Sequence, residues 1–78
     1  MIELETVAKL IEEATQSLPG AVGADTQLGA LDGWDSMGMV VFMGLVREQS
    51  GVELTVHELR ACADCAQVRD LIAKTAAK

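Results

Sequence analysis

The chain has 78 residues, half of them hydrophobic, and its 12 acidic against 6 basic side chains give a formal net charge of −6 at pH 7. A chain of this length predicts one domain, residues 1–78, built around a single core. The acidic balance argues against nucleic acid as a partner, because nucleic-acid phosphates attract a basic protein face. Basic or amphiphilic proteins are the expected partners.

The first residues, MIELE, are acidic, whereas a secretory signal peptide begins with a basic region. The longest uncharged apolar run, residues 37–46, is shorter than the roughly 20 residues that a membrane-spanning helix needs. These features predict a cytoplasmic chain without a membrane partner. Cys62 and Cys65 are expected to stay reduced in that compartment.

Apolar residues recur at intervals of three and four from the start of the chain and predict a first amphipathic helix, ended by Pro19-Gly20. Its apolar side is Leu4, Val7, Leu10, Ile11 and Ala14. Its opposite, polar side is Glu3, Glu5, Lys9, Glu12 and Glu13. The long connection that follows, residues 18–35, contains spaced apolar residues, which favour an ordered loop.

A second helix is predicted from Ser36 to about Ser50, with Asp35 as its N-cap and Gly51 at its end. The 3.6-residue period places one set of its side chains in the core: Met39, Phe42, Met43 and Val46. The core residues expected opposite them are Leu10, Ile11, Val68 and Leu71. Glycines at positions 38 and 44 each cost about 1 kcal/mol relative to alanine in a helix, and we expect them to permit close approach by a partner or ligand.

Two further helices complete the predicted all-α fold. A short third helix fits residues 55–61, where Thr55 and Glu58 have the spacing of a capping box. The fourth follows Asp64 and is expected to bury Val68, Leu71 and Ile72. No convincing strand is present in the sequence.

The helix order and the segment Trp34-Asp35-Ser36-Met37 together resemble the acyl carrier protein family, including the related peptidyl carriers. In that family an Asp-Ser pair followed by a large apolar residue, usually Leu, opens the second helix after a long loop. Met37 replaces the Leu here and preserves its size and polarity. The resemblance covers nearly the whole chain and implies a four-helix bundle of the acyl-carrier type, with a short third helix.

The resemblance also implies a function. Ser36 would receive 4′-phosphopantetheine from coenzyme A through a phosphopantetheinyl transferase, and Asp35 would cap the helix and orient the site toward that transferase. The chain would be a monomeric carrier, without catalysis or a metal of its own. Its other partners would be an acyl- or aminoacyl-loading ligase and a downstream acyltransferase or synthase. A phosphodiester on Ser36 would lie at a helix N-terminus, which favours anions.

Partner enzymes of such a carrier are expected to contact the second helix on the side away from the core. The residues predicted for this contact are Met37, Val40, Val41, Gly44 and Arg47. The alternative is an ordinary apolar helix face that the long loop and Trp34 partly cover. Carriers of fatty-acid synthesis have an acidic second helix, whereas this one contains a single acid, Glu48. The chain therefore looks more like discrete carriers of polyketide, nonribosomal or aminoacyl pathways, with a fatty-acid carrier as the alternative.

Other classes of function fit the residues less well. Asp-Ser pairs are common at helix starts, so Ser36 could serve only as a cap in a small helical interaction module. Serine hydrolysis needs a base, and the only histidine is His57, without an evident third group or oxyanion loop. Zinc prefers four ligands, and His57, Cys62 and Cys65 supply three at most. A redox pair would place its first cysteine at a helix N-terminus after a strand, whereas Cys62 follows a helix, so we expect two small, partly buried thiols at a helix junction.

Overall fold

The computed structural model describes residues 3–77, and within that range the chain is all-helical, without a strand. The helices are α1 (Leu4–Thr15), α2 (Ser36–Ser50), α3 (Val56–Arg60) and α4 (Cys65–Ala76), with a 3₁₀ turn at Leu28–Ala30 in the α1–α2 loop. The predicted all-α fold class is confirmed. None of the helices in the described range is long and apolar enough to cross a lipid bilayer.

The core lies where α1 packs against both α2 and α4, and α3 closes one end through its contact with α2. Every element contributes a fully buried side chain, and the largest are Phe42, Ile11, Leu28, Leu59, Val7, Val46 and Val68. Burial of each large apolar side chain stabilises the fold by about 1.5–3 kcal/mol. Most of the predicted core is therefore confirmed.

Two residues predicted for the core, Met43 and Leu71, are only partly buried, although both pack against it. Met43 lies on the wall of a surface cavity of about 440 Å³ between α2 and the α2–α3 loop. Leu71 lies on the wall of a second cavity, about 820 Å³, between α3 and α4. Helical periodicity places both residues on the side of their helix that packs on the core. Each lies at the border of that side, where the neighbouring loop or helix does not cover it fully.

The predicted end of the first helix at Pro19-Gly20 is wrong. Helix α1 ends at Thr15, and the C-cap Gln16 adopts a left-handed conformation with φ of 57°. The Thr15 hydroxyl donates to the Ile11 carbonyl at 2.8 Å and pairs with the Ser17 hydroxyl at 2.7 Å. The N–H groups of Gln16 and Ser17 bond back to the Glu13 and Glu12 carbonyls, the pattern that ends a helix at a left-handed residue, so the chain leaves α1 before the proline.

The prediction that Glu12 belongs to the polar side of α1 is also wrong. Only 9% of Glu12 is exposed, and its Oε2 atom accepts the backbone N–H groups of Gly20 at 2.9 Å and Val22 at 3.0 Å. The α1–α2 loop folds back over this part of α1, and its backbone donors need an acceptor there. One carboxylate thereby fixes the start of the loop that leads to Ser36.

Candidate functional site

Ser36 is the first residue of α2, and it is exposed to solvent. Asp35 is the N-cap, as the sequence predicts: its backbone is extended and its Oδ1 atom accepts the N–H of Gly38 at 3.0 Å. Asp35 supplies the capping oxygen, and this leaves the Ser36 hydroxyl outside the cap. The hydroxyl lies at the end of a 15-residue helix, where the macrodipole is positive.

Trp34 anchors the approach to the site. It is 8% exposed, and its indole ring meets the Phe42 ring edge-to-face, with 5.5 Å between centroids and an interplanar angle of 74°. Pairs of this geometry contribute about 0.5–1.5 kcal/mol beyond their buried area. Trp34, two positions before Ser36, is therefore held in the core by its contact with Phe42 of α2.

A close contact between two glycines fixes the first turn of α2. A Cβ atom on Gly38 would collide with the carbonyl oxygen of Gly33, so the loop backbone lies directly against the helix here. Gly33 has φ of +89°, and a Cβ there would lie 2.9 Å from the Thr15 carbonyl oxygen. The close approach that Gly38 permits is thus by the chain's own loop. Around Gly44, by contrast, the space is open.

Arg60, the last residue of α3, contacts the candidate site directly. Its Nη2 atom donates a hydrogen bond to Ser36 Oγ at 2.6 Å. Among the described residues the ion pairs are Arg47 with Glu53 and Arg69 with Asp70, so no carboxylate pairs with Arg60 in that range. The sequence reasoning missed this residue, because 24 positions separate it from Ser36 and no local pattern signals the contact.

The side of α2 away from the core is exposed, as predicted. Met37 is 79% exposed, Val40 55% and Val41 49%, and Gly44 is exposed beside them. Trp34 is buried against Phe42, and Val40 and Val41 are each about half-exposed. We call Met37, Val40, Val41 and Gly44 the apolar α2 face.

Arg47 lies one turn beyond the apolar α2 face and is exposed. Its Nε atom is 3.5 Å from the Glu53 carboxylate, and both side chains are well exposed to solvent. An exposed pair of this kind contributes about 0–1 kcal/mol. Its charge is partly neutralised on the protein, which leaves α2 without a strong field of either sign.

The two cysteines are free thiols with different exposure: Cys65 is fully buried and Cys62 half-buried. Burial, with a smaller contribution from Asp64, raises the pKa of both thiols, which keeps them protonated and unreactive near neutral pH. The Cys62 thiol donates to the Glu58 carbonyl at 3.6 Å. Residues 3–77 contain no group of three or more His, Cys, Asp or Glu side chains arranged to hold a metal ion.

The structure thus brings Asp35, Ser36 and Arg60 together and places the apolar α2 face along the same helix. His57 is exposed on α3, and the side chain that contacts the Ser36 hydroxyl is Arg60, which cannot act as a base. No family model, curated protein or solved structure matches the chain. The interpretation of function therefore depends on these residues.

Proposed function

We propose that this chain is a phosphopantetheine-dependent carrier protein, a four-helix bundle of the acyl-carrier type whose attachment residue is Ser36. The observation that carries the proposal is the Ser36 hydroxyl itself. It is exposed at the start of α2, does not serve as the helix cap, and lies 2.6 Å from an arginine that has no carboxylate partner among residues 3–77. A phosphoryl group attached there would meet a guanidinium and the positive end of a helix.

In the attachment of phosphopantetheine, the chain's own residues supply the nucleophile and its surroundings. The Ser36 oxygen forms a bond to phosphorus, its proton passes to the transferase, and the adenosine bisphosphate part of coenzyme A leaves. Asp35 keeps the first turn of α2 in place through its contact with Gly38 and offers the transferase an exposed acid beside the nucleophile. When attached, phosphopantetheine supplies a thiol that carries an acyl or aminoacyl group as a thioester.

The proposed carrier function depends on the covalent attachment of the acyl or aminoacyl group to the protein. A group held on an arm at Ser36 meets each bound enzyme at high effective concentration, so weak docking suffices for transfer. The apolar α2 face, with Arg47 beyond it, is the proposed contact for the transferase, the loading ligase and the downstream acyltransferase or synthase. The near-neutral charge of α2 supports a polyketide, nonribosomal or aminoacyl pathway over fatty-acid synthesis.

The second candidate function is a small helical interaction module in which Ser36 is unmodified. The exposure of Met37, Val40 and Val41 is the observation that favours it, because a contiguous apolar surface on a small protein commonly marks an interaction site. In that function the hydroxyl would be dispensable. The two candidate functions therefore differ in whether the Ser36 hydroxyl becomes modified.

Intact mass after incubation with coenzyme A, Mg²⁺ and a promiscuous phosphopantetheinyl transferase tests the proposal. The wild-type protein is expected to gain one phosphopantetheinyl group, and Ser36→Ala none while remaining helical by circular dichroism. Ser50→Ala is the matched control, since Ser50 lies at the opposite end of α2 and its hydroxyl donates to the Val46 carbonyl. An unmodified wild type, under conditions that modify a known carrier, would overturn the proposal.

A further inference from the structure

We infer that Arg60 binds the phosphodiester formed on Ser36 and thereby fixes the direction in which the attached arm leaves the protein. This inference rests on the proposed function and adds a positioning residue to it. Its starting point is the 2.6 Å hydrogen bond from Arg60 Nη2 to Ser36 Oγ. The bridging oxygen of the phosphodiester would be that same Oγ atom, so its non-bridging oxygens would be one bond beyond an atom that the guanidinium already contacts.

The charges around Arg60 favour this role. The acids nearest to it along the chain are already engaged in helix caps: Glu58 accepts from the N–H and hydroxyl of Thr55, and Asp64 accepts from the N–H of Gln67. The acid beside Ser36, Asp35, is engaged with Gly38. The hydrogen-bond acceptor that Arg60 contacts is a neutral hydroxyl. A phosphate oxygen would add the attraction between opposite charges to this hydrogen bond, and a guanidinium can donate to two phosphate oxygens at once.

Arg60 also compensates a repulsion that modification would create. The phosphodiester adds a negative charge next to the Asp35 carboxylate on a chain whose formal net charge is already −6. Like charges at adjacent positions destabilise each other, and a cation between α2 and α3 offsets that cost. Leu59, which directly precedes Arg60 in the chain, is fully buried, so the end of α3 that presents Arg60 is anchored in the core.

The consequence is a difference between the unmodified and modified proteins. In the unmodified protein, Arg60 joins α3 to α2 through a hydrogen bond to an uncharged hydroxyl; in the modified protein it would join them through an ion pair. Modification is therefore expected to raise the thermal midpoint of the wild type. The arm would then leave from a phosphodiester held on the α3 side of Ser36.

The experiment compares the thermal midpoints of unmodified and modified protein for wild type, Arg60→Gln, Arg60→Lys and the control Arg69→Gln, at low and high salt. Arg69 is a suitable control because it lies on α4 and pairs with Asp70. Modification should raise the midpoint in wild type and Arg69→Gln, raise it less in Arg60→Lys, and leave it unchanged or lower it in Arg60→Gln. High salt should shrink the wild-type increase. The ³¹P resonance should move in Arg60→Gln and keep its position in Arg69→Gln.

A second measurement needs no transferase. Ser36→Glu places a carboxylate at the same position, and a double-mutant cycle with Arg60→Gln should give a larger coupling than the cycle between Ser36→Ala and Arg60→Gln. Equal midpoint increases in wild type and Arg60→Gln, or equal couplings in the two cycles, would overturn the role of Arg60. Absence of any mass increase in the wild type would instead overturn the proposed function, and the cycle would still test the Arg60 contact.

Discussion

The Glu12 carboxylate on α1 accepts the backbone N–H of Val22, ten residues further along the chain, at 3.0 Å. The same oxygen accepts the N–H of Gly20 at 2.9 Å. The loop between α1 and α2 is therefore tied to α1 by a buried acid as well as by its apolar side chains. Ser36 is at the far end of that loop, so the contact contributes to holding the candidate site in place.

Glu12→Ala should lower the free energy of unfolding by about 2–3 kcal/mol, because it leaves the buried N–H of Val22 and the partly buried N–H of Gly20 without their acceptor. Glu12→Gln should cost less, about 1 kcal/mol, since its amide oxygen still accepts but without the charge. Glu13→Ala is the control, because Glu13 is its exposed neighbour and should change stability by less than about 0.5 kcal/mol. Denaturant unfolding measures all three, and equal effects of Glu12→Ala and Glu13→Ala would contradict the role assigned to Glu12.

The two glycines of α2 that face different surroundings should respond to alanine in opposite directions. Gly38→Ala should destabilise the protein, because the added Cβ meets the Gly33 carbonyl oxygen and the contact has to open. Gly44→Ala should stabilise it by about 0.5–1 kcal/mol, since space is open there and alanine is the better helix former. Thermal unfolding of both variants checks the pair. Stabilisation by Gly38→Ala would show that the loop does not pack on α2 as described.

Recognition by enzymes should depend more on the apolar contacts of α2 than on its charge. Val40→Asp puts a charge on a side chain that is 55% exposed in the free protein and would lose its water in a complex. The expected cost in transition-state binding is at least about 1 kcal/mol, roughly a fivefold drop in kcat/KM. Glu48→Gln should change kcat/KM by less, because exposed charge pairs contribute about 0–1 kcal/mol and are screened by salt.

The measurement is the rate of Ser36 modification by a phosphopantetheinyl transferase across a salt series, with circular dichroism to verify that each variant folds. Glu48 is the appropriate comparison, since it is the single acid in α2 and is exposed. A larger defect in Glu48→Gln than in Val40→Asp, together with strong salt dependence, would mean that electrostatics dominate recognition.

The thiols should make stability fall at alkaline pH. Burial raises the pKa of Cys62 and Cys65 in the folded protein, so their contribution is complete below the pKa of the unfolded thiols, roughly 8.5, and is lost as the pH rises through the folded values. The loss should be smaller in a protein with both cysteines replaced by alanine. Unfolding free energies between pH 7 and about pH 10 test this, and identical pH profiles for the two proteins would contradict it.

Alkylation at neutral pH gives an independent readout of the same thiols. Cys62 is half-buried and should react slowly, and fully buried Cys65 should react more slowly still. Replacement of both should leave modification of Ser36 intact, as expected for thiols that only pack. Stoichiometric zinc in the purified protein, or loss of Ser36 modification in the double variant, would count against that role.

The hydrogen bonds predicted correctly from sequence are those whose partners lie within one turn of a helix. The Asp35 cap and the Thr55–Glu58 capping box each join residues three positions apart, a separation that residue type and spacing reveal. The Glu12 contacts span 8 and 10 positions, and the Arg60 contact spans 24. These depend on how the loop and α3 pack against the other helices, which helical periodicity does not encode.

The misplaced end of α1 has a similar origin. Pro19 and Gly20 are strong local signals for a helix end, but the chain leaves α1 earlier, at a glutamine in the left-handed region. Thr15 is also where the Gly33 backbone approaches α1 most closely. The α1–α2 loop therefore packs against the residue at which α1 ends. The Pro-Gly pair carries no information about this contact, because it involves residues far apart in the sequence.

If an arm is attached at Ser36, the packing of Gly38 against Gly33, with Trp34 buried nearby, would hold the backbone at its attachment point in place. These contacts hold the first turn of α2, so a tethered group would move by rotation about the bonds of the Ser36 side chain and of the arm. The volume that such a group could reach would be set mainly by the arm's length. An enzyme docked on α2 would therefore meet the start of the arm at a similar position in each encounter, whichever group the arm carries.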